Sequence, residues 1–235
     1  MMTVSNARHI CLRTRQYFDQ GLGSGNKIDP DPRLRARADT AHHQILNVVR
    51  PATFSAVSTG EQNWLTVDFL LKKAKHDKGA RAGNCKEMAA VAAYVVFRLG
   101  EKRGLPYVGI VGEGVHGFCL VSPTDLTDEL VFENMGAVRR ALPECIIIDP
   151  WLDVTGLAAD FNAAAYDTLV RWERFDRKIR GGDGLGDPTG PFLSDLATQE
   201  VKLTRFQPPP ESRGPEDTSD KGWEDFILSQ PWRLE

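Results

Sequence analysis

Cys85, His116 and Asp149, in that order along the chain, have the side chains of a thiol catalyst. A thiolate attacks a carbonyl carbon. An imidazole within hydrogen-bond reach takes the thiol proton and later gives it to the leaving amine, and a carboxylate holds the imidazole tautomer and stabilises its charged form. In ion pairs of this kind a cysteine pKa falls to roughly 3–4, against about 8.5 for a free thiol. A helix dipole at an exposed terminus supplies about 1 kcal/mol or less, so the histidine must provide most of that change.

The elements that position these residues are legible nearby. Residues 82–99 form the most apolar helical run in the chain. Asn84 suits the N-cap and Glu87 falls at N3, which fits a capping box and puts Cys85 at the first helical position. Free backbone N–H groups at that end favour a thiolate. Met88, Ala89, Ala92, Val95, Val96 and Leu99 recur at helical spacing, and the opposite side is also mostly apolar until Arg98, so the helix is expected to be buried on more than one side.

From Leu105 the pattern alternates. Residues 107–111 and 115–121 read as an antiparallel hairpin turning at Gly112-Glu113-Gly114. His116, Phe118 and Leu120 then share one face of the second strand. Residues 145–149 read as another strand, ended by Pro150, with Cys145, Ile147 and Asp149 on one face.

The surroundings suit the chemistry. Gly114 and Gly117 flank the histidine and leave room for a substrate backbone. Trp151 either walls a cleft or packs in the core. An oxyanion site needs a donor besides the Cys85 backbone N–H, and Asn84, Gln62 and Asn63 are the candidates. The bland alternative for Cys85 is a small buried hydrophobe. Cys119 and Cys145 alternate with apolar strand residues and read as core, while Cys11 has no assignment. A metal site of Cys85, His116 and a further cysteine matches no zinc spacing. The adjacent His42 and His43 point about 100° apart on a helix and read as a solvent-edge pair.

Together, Gly83-Asn84-Cys85-x-Glu87 opening an Ala-rich helix, Val115-His116-Gly117-Phe118, and Ile146-Ile147-Ile148-Asp149-Pro150-Trp151 resemble the transglutaminase-like branch of the papain-like cysteine enzymes. The likeness covers residues 80–155 and is greatest to bacterial effector and toxin members. It implies Cys85 as nucleophile, His116 as general base and acid, and Asp149 as orienting acid. It also implies a thioester intermediate with no metal or organic cofactor. Members include glutamine deamidases, transglutaminases and proteases. The reading is therefore a thiol hydrolase acting on a protein or peptide, a host protein among the possible substrates. Glutamine deamidation or transamidation leads, and the alternatives are a cysteine protease or a catalytically silent interaction module.

Composition sets the outer limits. The chain has 235 residues, 41% hydrophobic, with a net charge of −3 and a pI near 6.0. That balance gives no reason to expect a nucleic-acid partner or an anionic membrane. No run reaches the length of a membrane span, and no apolar signal core opens the chain. Four widely spaced cysteines suggest reduced thiols, in a cytoplasm or after delivery into a host cell without a cleavable signal peptide.

In order, helices are expected over residues 6–20, from an opening at Asp29-Pro30-Asp31-Pro32 to a close at Pro51, and over 61–75. After the hairpin come a short strand at 129–132, a helical turn at 136–142, and a helix over 155–180. A glycine-rich loop at 181–190 lacks the ending of a phosphate-binding loop. A last helix or strand falls within 192–206. The expected division is a helical N-terminal extension over 1–60, a papain-like catalytic core over 61–206, and a largely disordered tail over 207–235. The fold class is α+β, with a nucleophile helix packed on an antiparallel sheet.

Overall fold

A computed structural model of the chain describes residues 1–53, 59–76, 81–100, 103–181 and 184–207. The expected tail, apart from Gln207, lies outside these residues. So do residues 77–80, ahead of Asn84, and residues 182 and 183 of the glycine-rich loop.

Helix α5, Cys85–Leu99, is the centre of the packing. Its residues Met88 to Val96 are all buried, as the apolar character of both its sides requires. Glu87 is the exception among its buried side chains. Its carboxylate accepts the Asn84 backbone N–H at 2.9 Å and Arg50 Nε at 3.1 Å, so the charge is neutralised where it is buried.

One face of α5 lies on β2, Leu105–Val111, and β3, His116–Ser122. These two form the expected hairpin, from Leu105 opposite Ser122 to Val111 opposite His116. Gly112 and Gly114 take positive φ angles in its turn, where a β-carbon would be strained. The sheet continues through β5, Ile146–Asp149, and β6, Val154–Leu157. On the other side β2 pairs with β9, Val201–Arg205, which pairs in turn with β4, Glu129–Phe132. The six strands run β4-β9-β2-β3-β5-β6, each antiparallel to its neighbours. With helices segregated from an antiparallel sheet, the protein is α+β.

Two expectations for the second half of the chain change. The helix expected over 155–180 is instead β6, a 3-10 turn at Ala158–Asp160, helix α7 at Phe161–Arg174, and strand β7 at Lys178–Gly181. Its apolar spacing was real only within α7. Before α7, residues 154–157 are drawn into the sheet by the free edge of β5, and after it Asp176 adopts a left-handed φ of 51°. Residues 192–206 hold both a helix, α8 at Pro191–Thr198, and strand β9. A late segment thus returns to lie between β2 and β4, a pairing that no local pattern announces.

The N-terminal part comprises helix α1, Val4–Asp19, the short strand β1, Lys27–Ile28, and helix α2, Pro32–Gln44. Asp31 caps α2 and Pro32 opens it. The helix does not stop at Pro51. It widens into a π-turn over Ile45–Val49 and restarts as α3, Arg50–Thr53, where proline falls in a first turn. Helix α4, Thr59–His76, packs on α5.

Helix α1 packs on α5, β5 and β6. Its Ile10, Cys11, Tyr17 and Phe18 belong to the same core cluster as α5 and the sheet. Residues 1–28 are therefore part of one packed unit with the strands, and the expected boundary at residue 60 does not separate them. β1 pairs with β7, which pairs with β8, Gly184–Gly186, in a second, small sheet. Among the described residues no helix is long and apolar enough to cross a membrane.

Candidate active site

Strand register explains how His116 and Asp149 meet. Leu120 lies opposite Ile147 and Cys119 opposite Ile148. Opposed residues share a face, so the His116-Phe118-Leu120 side of β3 is continuous with the Ile147-Asp149 side of β5. His116 Nε2 and Asp149 Oδ2 are 2.5 Å apart, and both side chains are fully buried. The other carboxylate oxygen, Oδ1, accepts the Leu152 backbone N–H at 2.9 Å. Both oxygens are thus held, and an ionised Asp149 takes the Nε2 proton as a donated hydrogen bond.

The imidazole has neighbours on all sides. The Trp151 ring is centred 5.5 Å away, and Phe192, from α8, meets it edge-on at 5.7 Å. Nδ1 is buried and has no hydrogen-bond partner among the described residues. Burial disfavours a charged ring, but the Asp149 carboxylate and then the Cys85 side chain outweigh it and push the His116 pKa up from 6.5 to about 10. With Nε2 committed to Asp149, Nδ1 is the nitrogen left for the thiol.

Cys85 occupies the first position of α5, as expected, and is 4% exposed. The start of β3 is pressed against it. A β-carbon on Gly117 would lie 3.0 Å from Lys86 Cα, 3.1 Å from Lys86 N and 3.3 Å from the Cys85 carbonyl carbon. The absent side chain at Gly117 therefore lets strand and helix backbones touch, which is what brings His116 to the thiol. Room for substrate is not its visible use.

The remaining site residues divide by location. Asn84 directly precedes Cys85, but its Oδ1 accepts N–H groups from Gly25 at 2.9 Å and Asn26 at 3.1 Å. The oxygen end of the amide is committed to that loop. Of its two expected roles Trp151 takes the core one: it is buried on Trp172 and Phe192, with its ring beside that of His116. Gln62 is exposed and elsewhere. Trp64, beside it on α4, packs on Tyr94 and Phe97, which at about 1.5 Å per residue lie roughly 13–18 Å along α5 from Cys85. Asn63 shares that turn of α4. The structure brings neither to the thiol, because the start of α4 lies over the far end of α5.

The other thiols are all unpaired and buried. Burial pushes Cys119 and Cys145 upward in pKa, as for inert core thiols. Cys11 is more informative. Its Sγ donates to the Asp149 backbone carbonyl at 3.7 Å, and burial, then Asp153 and Asp149, raise its pKa to about 12.

Several supporting residues carry no signal in the sequence. Asp153 stands at a left-handed φ of 62° and pairs with Arg8 and Arg15 of α1, so the turn after Asp149 is fastened to the first helix. Lys27 Nζ donates to the Trp151 carbonyl at 2.6 Å. These partners sit more than a hundred positions away in the chain, beyond the reach of any local motif. Comparison of the chain with protein-family models, curated proteins and solved structures finds no match.

Proposed function

We propose that this chain is a cysteine hydrolase on a papain-like, transglutaminase-like core, acting on a protein carboxamide and most directly as a glutamine deamidase or transamidase. One observation carries the reading: a fully buried His116–Asp149 pair at 2.5 Å whose imidazole is also influenced by Cys85 at the start of α5.

In this reading the Cys85 sulfur, having given its proton to His116, attacks the carboxamide carbon as a thiolate. The carbonyl π electrons move to oxygen, and the developing oxyanion faces the Cys85 backbone N–H at the helix start. His116 returns the proton to the nitrogen, the C–N bond breaks, and ammonia leaves behind a thioester. A water then gives a proton to His116 and adds to the thioester carbon. The C–S bond breaks, the sulfur takes the proton back, and a carboxylic acid is released. An amine in place of water gives transamidation by the same steps. Asp149 keeps the ring oriented and its charged form favourable throughout.

Alkylation by iodoacetamide near pH 6, followed by intact-mass measurement of the parent and of Cys85→Ala, tests the thiol. Cys85 is expected to react well above the rate of a free thiol, and a rate no faster than one sinks the enzyme reading. Mass spectrometry of candidate protein substrates then separates the chemistries. A deamidase leaves the small mass gain of amide turned to acid, and a cut chain would instead assign the protein as a protease.

A further inference from the structure

Residues 24–27 touch both chain segments that carry the ends of the proposed triad. On one side, the Gly25 and Asn26 N–H groups bind the side chain of Asn84, the residue before Cys85. On the other, Trp151 Nε1 donates to Ser24 Oγ and to Asn26 Oδ1, each at 2.9 Å. Lys27 Nζ donates to the Trp151 backbone carbonyl. Ser24 Oγ joins the two sides, lying 2.8 Å from Asn26 Oδ1 and 3.3 Å from Asn84 Oδ1.

This loop is itself held from outside. Arg180 Nη1 donates to the Gly25 carbonyl at 3.2 Å. A β-carbon on Gly25 would lie 2.5 Å from His42 Cα, so the α2 backbone stands directly behind the loop. Lys27 and Ile28 are paired with β7. The Lys27 ammonium lies 4.1 Å from the Trp172 ring centroid and 5.2 Å from that of Trp151, where the indole faces stabilise a cation. Trp151 in turn faces the His116 ring and follows Asp149 closely in the chain.

We infer that residues 24–27 are a brace that sets the separation between the Asn84–Cys85 helix start and the Asp149–Trp151 turn, with Ser24, Asn26 and Lys27 as positioning residues. None of the three side chains bonds Cys85, His116 or Asp149. They act through Asn84 and Trp151. The catalytic meaning of the brace rests on the thiol-hydrolase reading, whereas its mechanical meaning does not. Reacting groups must be held to within about half an ångström of a productive arrangement, and hydrogen bonds from supporting residues, together with packing, hold them there.

The test uses the full chain and three substitutions. Ser24→Ala removes the joining hydroxyl, Lys27→Met keeps an apolar stem but removes the donor, and Lys27→Arg restores a cationic donor. Two quantities are read: the rate of Cys85 alkylation near pH 6, and the titration of the His116 ring protons by NMR. Ser24→Ala and Lys27→Met should each slow alkylation about tenfold or more and lower the His116 titration midpoint. Lys27→Arg should recover most of both, and Ser24→Ala combined with Lys27→Met should fall short of additivity. Parent-like alkylation and His116 titration in Ser24→Ala and Lys27→Met, whatever their thermal stability, overturn the brace. If Lys27→Met fails to fold, Ser24→Ala decides alone. A parent whose Cys85 reacts like a free thiol sinks the hydrolase reading instead, and the His116 titration still reports on the brace.

Discussion

His116 and Asp149 bind each other at 2.5 Å with both side chains fully buried. A pair so placed is safe only while both members are present, because a lone buried charge has neither water nor counter-charge. Asp149→Ala should therefore cost about 3–5 kcal/mol of stability, read from urea midpoints, and should return the His116 titration toward or below its ordinary range. A loss well under 1 kcal/mol would mean that the pair is not closed to solvent.

The same pair dictates a pH dependence. His116 is raised from 6.5 to about 10, so between those values the folded protein binds a proton that the unfolded chain has released. The stability from this group is complete below pH 6.5 and is lost as pH rises through about 10. Lys27 acts with the opposite sign. Burial, then Arg15 and Arg177, pull it down from 10.5 to about 7, so its contribution grows as pH rises between those two values. The parent should therefore be compared with His116→Gln by urea titration across this range. The parent's advantage should shrink steadily with pH, and an advantage that grows would reverse the assignment.

Gly117→Ala tests the approach of strand to helix. Its new methyl would stand 3.0 Å from Lys86 Cα and 3.1 Å from Lys86 N, both backbone atoms that cannot swing aside. Overpacking of this kind costs about 1–3 kcal/mol. It should also slow Cys85 alkylation, because the helix start is pushed from His116. Gly156→Ala is the control, with nothing within 4 Å of its new methyl. Equal effects from the two substitutions would refute the close-approach argument.

Local pattern was enough to place Cys85 at a helix start with Glu87 behind it, because a cap is a matter of four adjacent residues. Alternation put His116 with Phe118 and Leu120, and Ile147 with Asp149, because the pleat has a fixed period. Local pattern gives way where a tertiary partner competes. Residues 154–157 left an apparent helix to pair with β5, and Pro51 did not end a helix that could widen around it.

The sequence by itself determined the residue types of the site, the helix that carries the thiol and the α+β class, all of which follow from short-range spacing and capping. Only the tertiary structure decided that the two strand faces join through the Leu120–Ile147 register, that Gln62 lies at the wrong end of α5, and that β9 is inserted between β4 and β2. It alone decided that Ser24, Asn26 and Lys27 bond to Asn84 or Trp151 from more than fifty positions away. The reason is physical: register, helix direction and polar bridges across more than a hundred positions are settled by which surfaces bury each other, and no local period encodes that choice.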